Sequence, residues 1–145
     1  MVKSNTLVGL VCLAVSSLAV GHSLSPTRLY APSGSELIGY TMRASNQYDV
    51  PAHFYVECYR NALGFVQPCF VMPKAFTLRP NQTRNFRFRI DTGGRDGIFL
   101  ICTVYDPQKS PGGENVKSAL KTRICARFGV GLDPETGVPA LGGHY

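Results

Sequence analysis

Hydrophobic and polar residues alternate with period two along most of this chain, and helical spacing is nearly absent. Ile38, Tyr40, Met42 and Ala44 alternate with Leu37, Gly39, Thr41 and Arg43. Phe54, Val56 and Cys58 alternate with His53, Tyr55 and Glu57. Successive side chains of a strand point to opposite faces, so such runs predict strands with one buried face. The cleanest case is Phe86, Phe88 and Ile90 against Arg87, Arg89 and Asp91: one face apolar, the other charged. Ile98 to Tyr105 is almost continuously apolar, as expected of a strand covered on both faces. Val116, Ser118, Leu120, Thr122, Ile124 and Ala126 form one more alternating row, interleaved with Lys117, Lys121, Arg123, Cys125 and Arg127.

Turn-forming clusters separate these runs: Pro32-Ser33-Gly34, Ser45-Asn46-Gln47, Pro80-Asn81-Gln82, Gly93 to Gly97, and Ser110 to Gly113. The 15 glycines and 10 prolines thus serve many short segments rather than one flexible tract. Seven strands are predicted, near 27–31, 35–45, 52–60, 69–77, 84–91, 98–106 and 116–128. Short strands at this spacing argue for an all-β fold, a seven-stranded immunoglobulin-like β-sandwich over residues 22–128. Residues 129–145 carry Gly and Pro without periodicity and read as a loose C-terminal tail.

The one long apolar run, Leu7 to Val20, follows a single charge at Lys3 and is short for a bilayer span. Ala19-Val20-Gly21 supplies small residues at a cleavage site, so residues 1–21 read as a secretory signal peptide cut after Gly21. Removing it takes away Cys12, which no lipoprotein box precedes, and leaves 14 basic against 9 acidic residues. Four cysteines remain: Cys58, Cys69, Cys102 and Cys125. An even number in an exported chain reads as two disulfides, for which three connectivities are open.

Candidate chemistry is sparse. The chain has no GxSxG elbow, P-loop, HExxH or GxGxxG. His22, His53 and His144 are isolated, and paired cysteines could not serve as nucleophiles. Nothing here meets the nucleophile–base–orienter requirement, so an enzyme is not expected and no cofactor is implied. No CxxC pair exists, which argues against a zinc site, and no metal is expected. Arg84, Arg87, Arg89 and Arg95 cluster on and near one strand; in an exported chain they read as a solvated face rather than a nucleic-acid surface.

Four segments, in order, resemble the N-terminal domain of the PapD-like periplasmic chaperones that assemble pili. Ser25-Pro26-Thr27-Arg28-Leu29 is similar to the family's opening strand with its arginine. Val50-Pro51 leads into an aromatic-rich strand. Pro73 to Gln82, running into Phe86-Arg87-Phe88-Arg89, is similar to the Pro-rich strand, turn and Arg-bearing strand. Ala119 to Ile124 lies near the family's last strand, G. The resemblance implies a Cys102–Cys125 bridge between the last two strands, as in one subfamily, and leaves Cys58 and Cys69 to close a loop of their own.

It also implies a mechanism. Such a chaperone lends its last strand to a pilus subunit that lacks one, and grips the subunit's terminal carboxylate with two basic residues. Here the lent row would be Val116, Ser118, Leu120, Thr122 and Ile124, and the carboxylate anchor Arg28 and Arg127. The implied setting is the periplasm, in the biogenesis of fimbriae or another cell-wall structure. The partners are pilus or surface-structure subunits, with room for an outer-membrane usher. The sequence departs from the family in three ways: it stops about 17 residues after strand G where the family has a second domain, Ser118 and Thr122 weaken the donor row, and Arg127 stands where the subfamily has lysine. The competing expectation is a structural immunoglobulin-like envelope or pilus component without chaperone activity. The chaperone reading predicts that Arg28 and Arg127 converge beside an exposed row; the structural reading predicts a buried row and separate arginines.

Overall fold

A computed structural model describes residues 21–113 and 120–135. The expected signal peptide up to residue 20, Val116 and Ser118 of the donor row, and the tail from residue 136, with His144, lie outside the described residues. Among the described residues there is no helix. The strands are β1 (His22–Ser25), β2 (Arg28–Ala31), β3 (Leu37–Asn46), β4 (Ala52–Arg60), β5 (Phe70–Met72), β6 (Ala75–Leu78), β7 (Thr83–Asp91), β8 (Gly97–Asp106) and β9 (Thr122–Val130). They form two sheets, one in the order β1-β3-β7-β5 and the other β2-β9-β8-β4-β6. The expected all-β immunoglobulin-like sandwich is the architecture observed.

Nine segments arise from seven strands because two strands change sheets. The first strand pairs with β3 as β1 and then with β9 as β2. The fourth pairs with β7 as β5 and then with β4 as β6. The breaks fall at Pro26 and Pro73, since proline has no N–H for the ladder and fixes its own φ. The expected continuous strand at 69–77 is therefore two strands in different layers. The expected strand at 27–31 is preceded by β1, whose four residues are too few for a clear alternation. Of the last strand, expected at 116–128, the described part is paired from Thr122, and it continues to Val130 because Gly129 and Val130 pair on both sides, with Tyr30 and Ala31 and with Ile98 and Gly97.

The two inner faces meet in one core. Phe54, Phe76 and Phe86 link the sheets, with ring centroids 6.1 Å apart in each successive pair, and Phe88 meets Phe128 edge-on at 6.1 Å. Aromatic pairs of this kind contribute about 0.5–1.5 kcal/mol each beyond area burial. The alternation of β7 holds residue for residue: Phe86, Phe88 and Ile90 are buried, Arg87, Arg89 and Asp91 exposed. β8 is central, flanked by β4 and β9, so Cys102 and Val104 on its outer side are buried as fully as Phe99 and Ile101 on its inner side. Tyr40 departs from the expected alternation. It is in phase with Ile38 and Met42 yet 51% exposed, because β3 loses its β1 neighbour beyond Arg43.

Cys58 is bonded to Cys69 and Cys102 to Cys125. Cys102 and Cys125 are direct cross-strand partners of β8 and β9. Cys58–Cys69 pins residues 61–68 against β4, where Gln67 N–H donates to the Cys58 carbonyl at 2.9 Å. In the chain-entropy account, loops of 11 and 23 residues stabilise by roughly 3 kcal/mol each. At the end of β3, Asn46 is fully buried and satisfied. Its amide donates to the Val50 and Leu78 carbonyls (2.9 and 3.0 Å), and its side-chain oxygen accepts from Tyr48 N–H (2.9 Å).

Phe88→Ala should cost about 3–5 kcal/mol, the usual price of emptying a fully buried aromatic site. Arg87→Ala, one residue away on the exposed face, should stay within about 0.5 kcal/mol. Urea unfolding with the disulfides intact reads both.

Candidate functional site

The first element of the site is a pair of arginines. Beyond Pro26 the chain runs parallel to β9, and the Thr27 carbonyl accepts from Arg127 N–H at 2.9 Å. The register then sets Arg28 directly opposite Arg127. Leu29 and Phe128 turn inward against the core, so both arginines stand on the outer face of the five-stranded sheet, exposed. Among the described residues neither guanidinium has an ion-pair partner. Two neighbouring like charges in this position favour any anion that can sit between them.

The second element is an open strand edge. β2 covers β9 only from Arg127 to Val130. From Thr122 to Ala126, β9 pairs with β8 on one side and, among the described residues, with no strand on the other. This half-edge is held from the outer face. Arg123 bonds Glu57 at 3.0 Å and lies over the Tyr59 ring, 5.5 Å from its centroid, while Tyr59 donates its hydroxyl proton to the same Glu57 carboxylate. Burial first, then Glu57, pushes the Tyr59 pKa up. Lys121 lies over Tyr55 (5.5 Å), contacts its hydroxyl (3.4 Å) and pairs with the buried Asp106 (3.5 Å). These contacts hold the Lys121 pKa up, that with Tyr55 being the larger.

The expected donor row is graded rather than uniform. Leu120 is 86% exposed, Thr122 is exposed and shares a 3.0 Å hydrogen bond with Tyr48, and Ile124 is half-buried against the core. Ala126, the next residue in phase, is fully buried. The row therefore leaves the core in steps toward the N-terminal end of β9.

A residue with no assigned part in the sequence reading closes the site from beneath. His22 is buried between Phe54 (5.1 Å) and Tyr48 (6.4 Å), and its Nε2–H donates to the Thr103 carbonyl at 3.2 Å. It lines a hollow of about 320 Å³ with Tyr48, Thr122 and Ile124, under the open edge. Its phase with Leu24 was the available signal, since both point inward from β1. Burial lowers the His22 pKa from its ordinary 6.5, and the Thr103 hydrogen bond opposes that only partly.

The comparisons with known proteins bear on the fold. No protein-family model matches the chain, and no curated protein sequence matches it. Among solved structures, the E. coli chaperone DraB superposes with a TM-score of 0.57 at 22% identity, over 79% of this chain and 56% of that one. A chain of the Salmonella enterica SafA pilin–SafB chaperone complex superposes with a TM-score of 0.55 at 23% identity, over 83% and 55%. The fold is that of a PapD-like domain. The chain spans about half the length of these chaperone chains. By contrast, it matches 96% of the single PapD-like domain 7 of human CEP192, at 10% identity and a TM-score of 0.51. One PapD-like sandwich is thus the unit of likeness.

Because His22 is held neutral in the PapD-like sandwich, its contribution to stability is fully present above about pH 6.5 and is lost as the pH falls below it, where the unfolded chain takes up the proton first. The urea midpoint should drop between about pH 7.5 and about pH 5.5 in the wild type and drop less in His22→Leu. An equal drop in both would place the sensitivity elsewhere.

Proposed function

We propose that this protein is a periplasmic chaperone of pilus or other surface-structure subunits. Exported by its N-terminal segment, it lends β9 to a subunit that lacks a strand of its own. The observation that carries this reading is the coincidence, on one strand, of an unpaired edge and one member of an exposed arginine pair. The unpaired N–H and C=O groups of residues 122–126 offer main-chain hydrogen bonds to an incoming strand. Leu120, Thr122 and Ile124, with Val116 and Ser118 before them, offer alternate side chains to its groove. Arg28 and Arg127 take the subunit's terminal carboxylate, which relieves their mutual repulsion and fixes the register of the pairing. The fold of the solved chaperones supports the reading, as does the position of the arginine pair beside the edge.

The alternative is a structural immunoglobulin-like envelope or pilus component that uses its sheet edges to assemble. The burial of Ala126, Phe128 and Val130, which makes the second half of β9 an ordinary core strand, favours it.

A pull-down from periplasmic extract separates the two. Hydrogen bonds to a charged group contribute about 1.5–3 kcal/mol each. Arg28→Ala/Arg127→Ala should therefore weaken capture of a small subunit at least about tenfold while leaving the fold intact, since both side chains are exposed. Equal capture by wild type and variant, or no partner for the wild type, would favour the structural component.

A further inference from the structure

The outer face of the four-stranded sheet has no part in that mechanism, yet it is strongly patterned. Phe86, Phe88 and Ile90 take the core side of β7, so Arg87 and Arg89 point outward. Their neighbours on β3 are Thr41 and Gly39, with Arg43 one step further along the same face. Their neighbours on β5 are Met72 and Phe70. Arg89 stacks over the Phe70 ring, its guanidinium carbon 5.8 Å from the centroid. Leu37 is 59%, Phe70 54% and Met72 63% exposed. A shallow hollow of about 610 Å³ opens between Leu37 and the two arginines of β7. Gly39 keeps its floor bare: a Cβ there would come within 2.7 Å of the Phe88 carbonyl oxygen.

Charge narrows the occupant. Among the described residues, none of Arg43, Arg87 and Arg89 has a carboxylate partner. Asp91, the acid at the end of this face, is turned to Gly93 N–H at 2.9 Å. A second copy of the chain would set arginines against arginines. An extended acidic peptide could add to this sheet only at its margins, along β5 or along β3 beyond Arg43, and not over Arg87 and Arg89, whose strand β7 is paired on both sides. A flat surface of phosphates over an apolar layer satisfies both kinds of side chain at once.

We propose that this face rests on an anionic phospholipid membrane. Arg43, Arg87 and Arg89 meet headgroup phosphates, and Leu37, Phe70 and Met72 enter the interface. The opposite sheet, with Arg28, Arg127 and the open edge of β9, then faces away from the lipid and stays free for a client. Each basic residue near such a surface strengthens partitioning about fivefold, so the three together contribute about 100-fold at low salt.

The test is co-sedimentation of the exported protein with phosphatidylcholine vesicles made with and without phosphatidylglycerol. Binding should require phosphatidylglycerol and weaken steeply with salt. Arg43→Gln/Arg87→Gln/Arg89→Gln should weaken it about 100-fold, and Phe70→Ser/Met72→Ser should weaken it with the charge unchanged. All five positions are exposed, and circular dichroism checks the fold. Arg28→Ala/Arg127→Ala should bind vesicles like the wild type, which keeps this result separate from the client-binding one. The proposal is overturned by a wild type that ignores phosphatidylglycerol, by a triple variant that binds as well as the wild type, or by a serine variant that loses nothing. Polyglutamate binding that needs the three arginines, without vesicle binding, would overturn it in favour of an acidic protein partner.

Discussion

Pro26 has no N–H to give, and the ladder between β1 and β3 ends at Ser25 opposite Arg43. The chain crosses the core there and resumes as β2 beside β9. Two consequences follow from this crossing. It seals one side of the sandwich, with β1 and β2 as edge strands of different sheets. It also divides β9, because β2 is four residues long and covers only the end from Arg127 onward. The arginine pair sits at the boundary between the covered and uncovered halves.

The uncovered half, which among the described residues has β8 as its one neighbouring strand, is held by contacts across the outer face. Arg123 and Lys121 reach past β8 to Glu57, Tyr59 and Tyr55 on β4, and the Cys102–Cys125 bond joins β9 to β8. Individually such surface ion pairs are weak, about 0–1 kcal/mol. Two of them, with two cation–π contacts and a cross-strand disulfide, act together on three alternate residues, Lys121 just before β9 and Arg123 and Cys125 within it. An edge held straight in this way loses little further freedom when another strand pairs with it.

Most of the layer structure was legible in the sequence, because burial imposes a period that side chains record. Phe86-Arg87-Phe88-Arg89-Ile90 states which face of β7 is inside, and the apolar run from Ile98 states that β8 is central. What could not be read was the layer to which each half of a strand belongs. Alternation continues through Phe70 to Leu78 without marking that Met72 and Ala75 pair with different sheets. Pro26 and Pro73 mark the breaks but not their direction. The opposition of Arg28 and Arg127 likewise has no local signature, and only resemblance pointed to it. The same holds for the cysteines: spacing left three pairings, and the cross-strand register of Cys102 with Cys125 fixes one. His22 was missed because its phase with Leu24 is a weak signal in a strand of four residues.

The pairing of β2 with β9 joins residues about 100 positions apart in sequence, whereas β1 finds β3 within about 20. Long-range strand pairing is slow, since the closure entropy of the intervening chain must be lost before the contact forms. A chain emerging N-terminus first presents β1 and β2 together but can place only β1. The segment Arg28–Ala31 has to wait until nearly the whole domain has arrived. The arginine pair is therefore among the last features to assemble, and its presence reports that the sandwich beneath it is already closed.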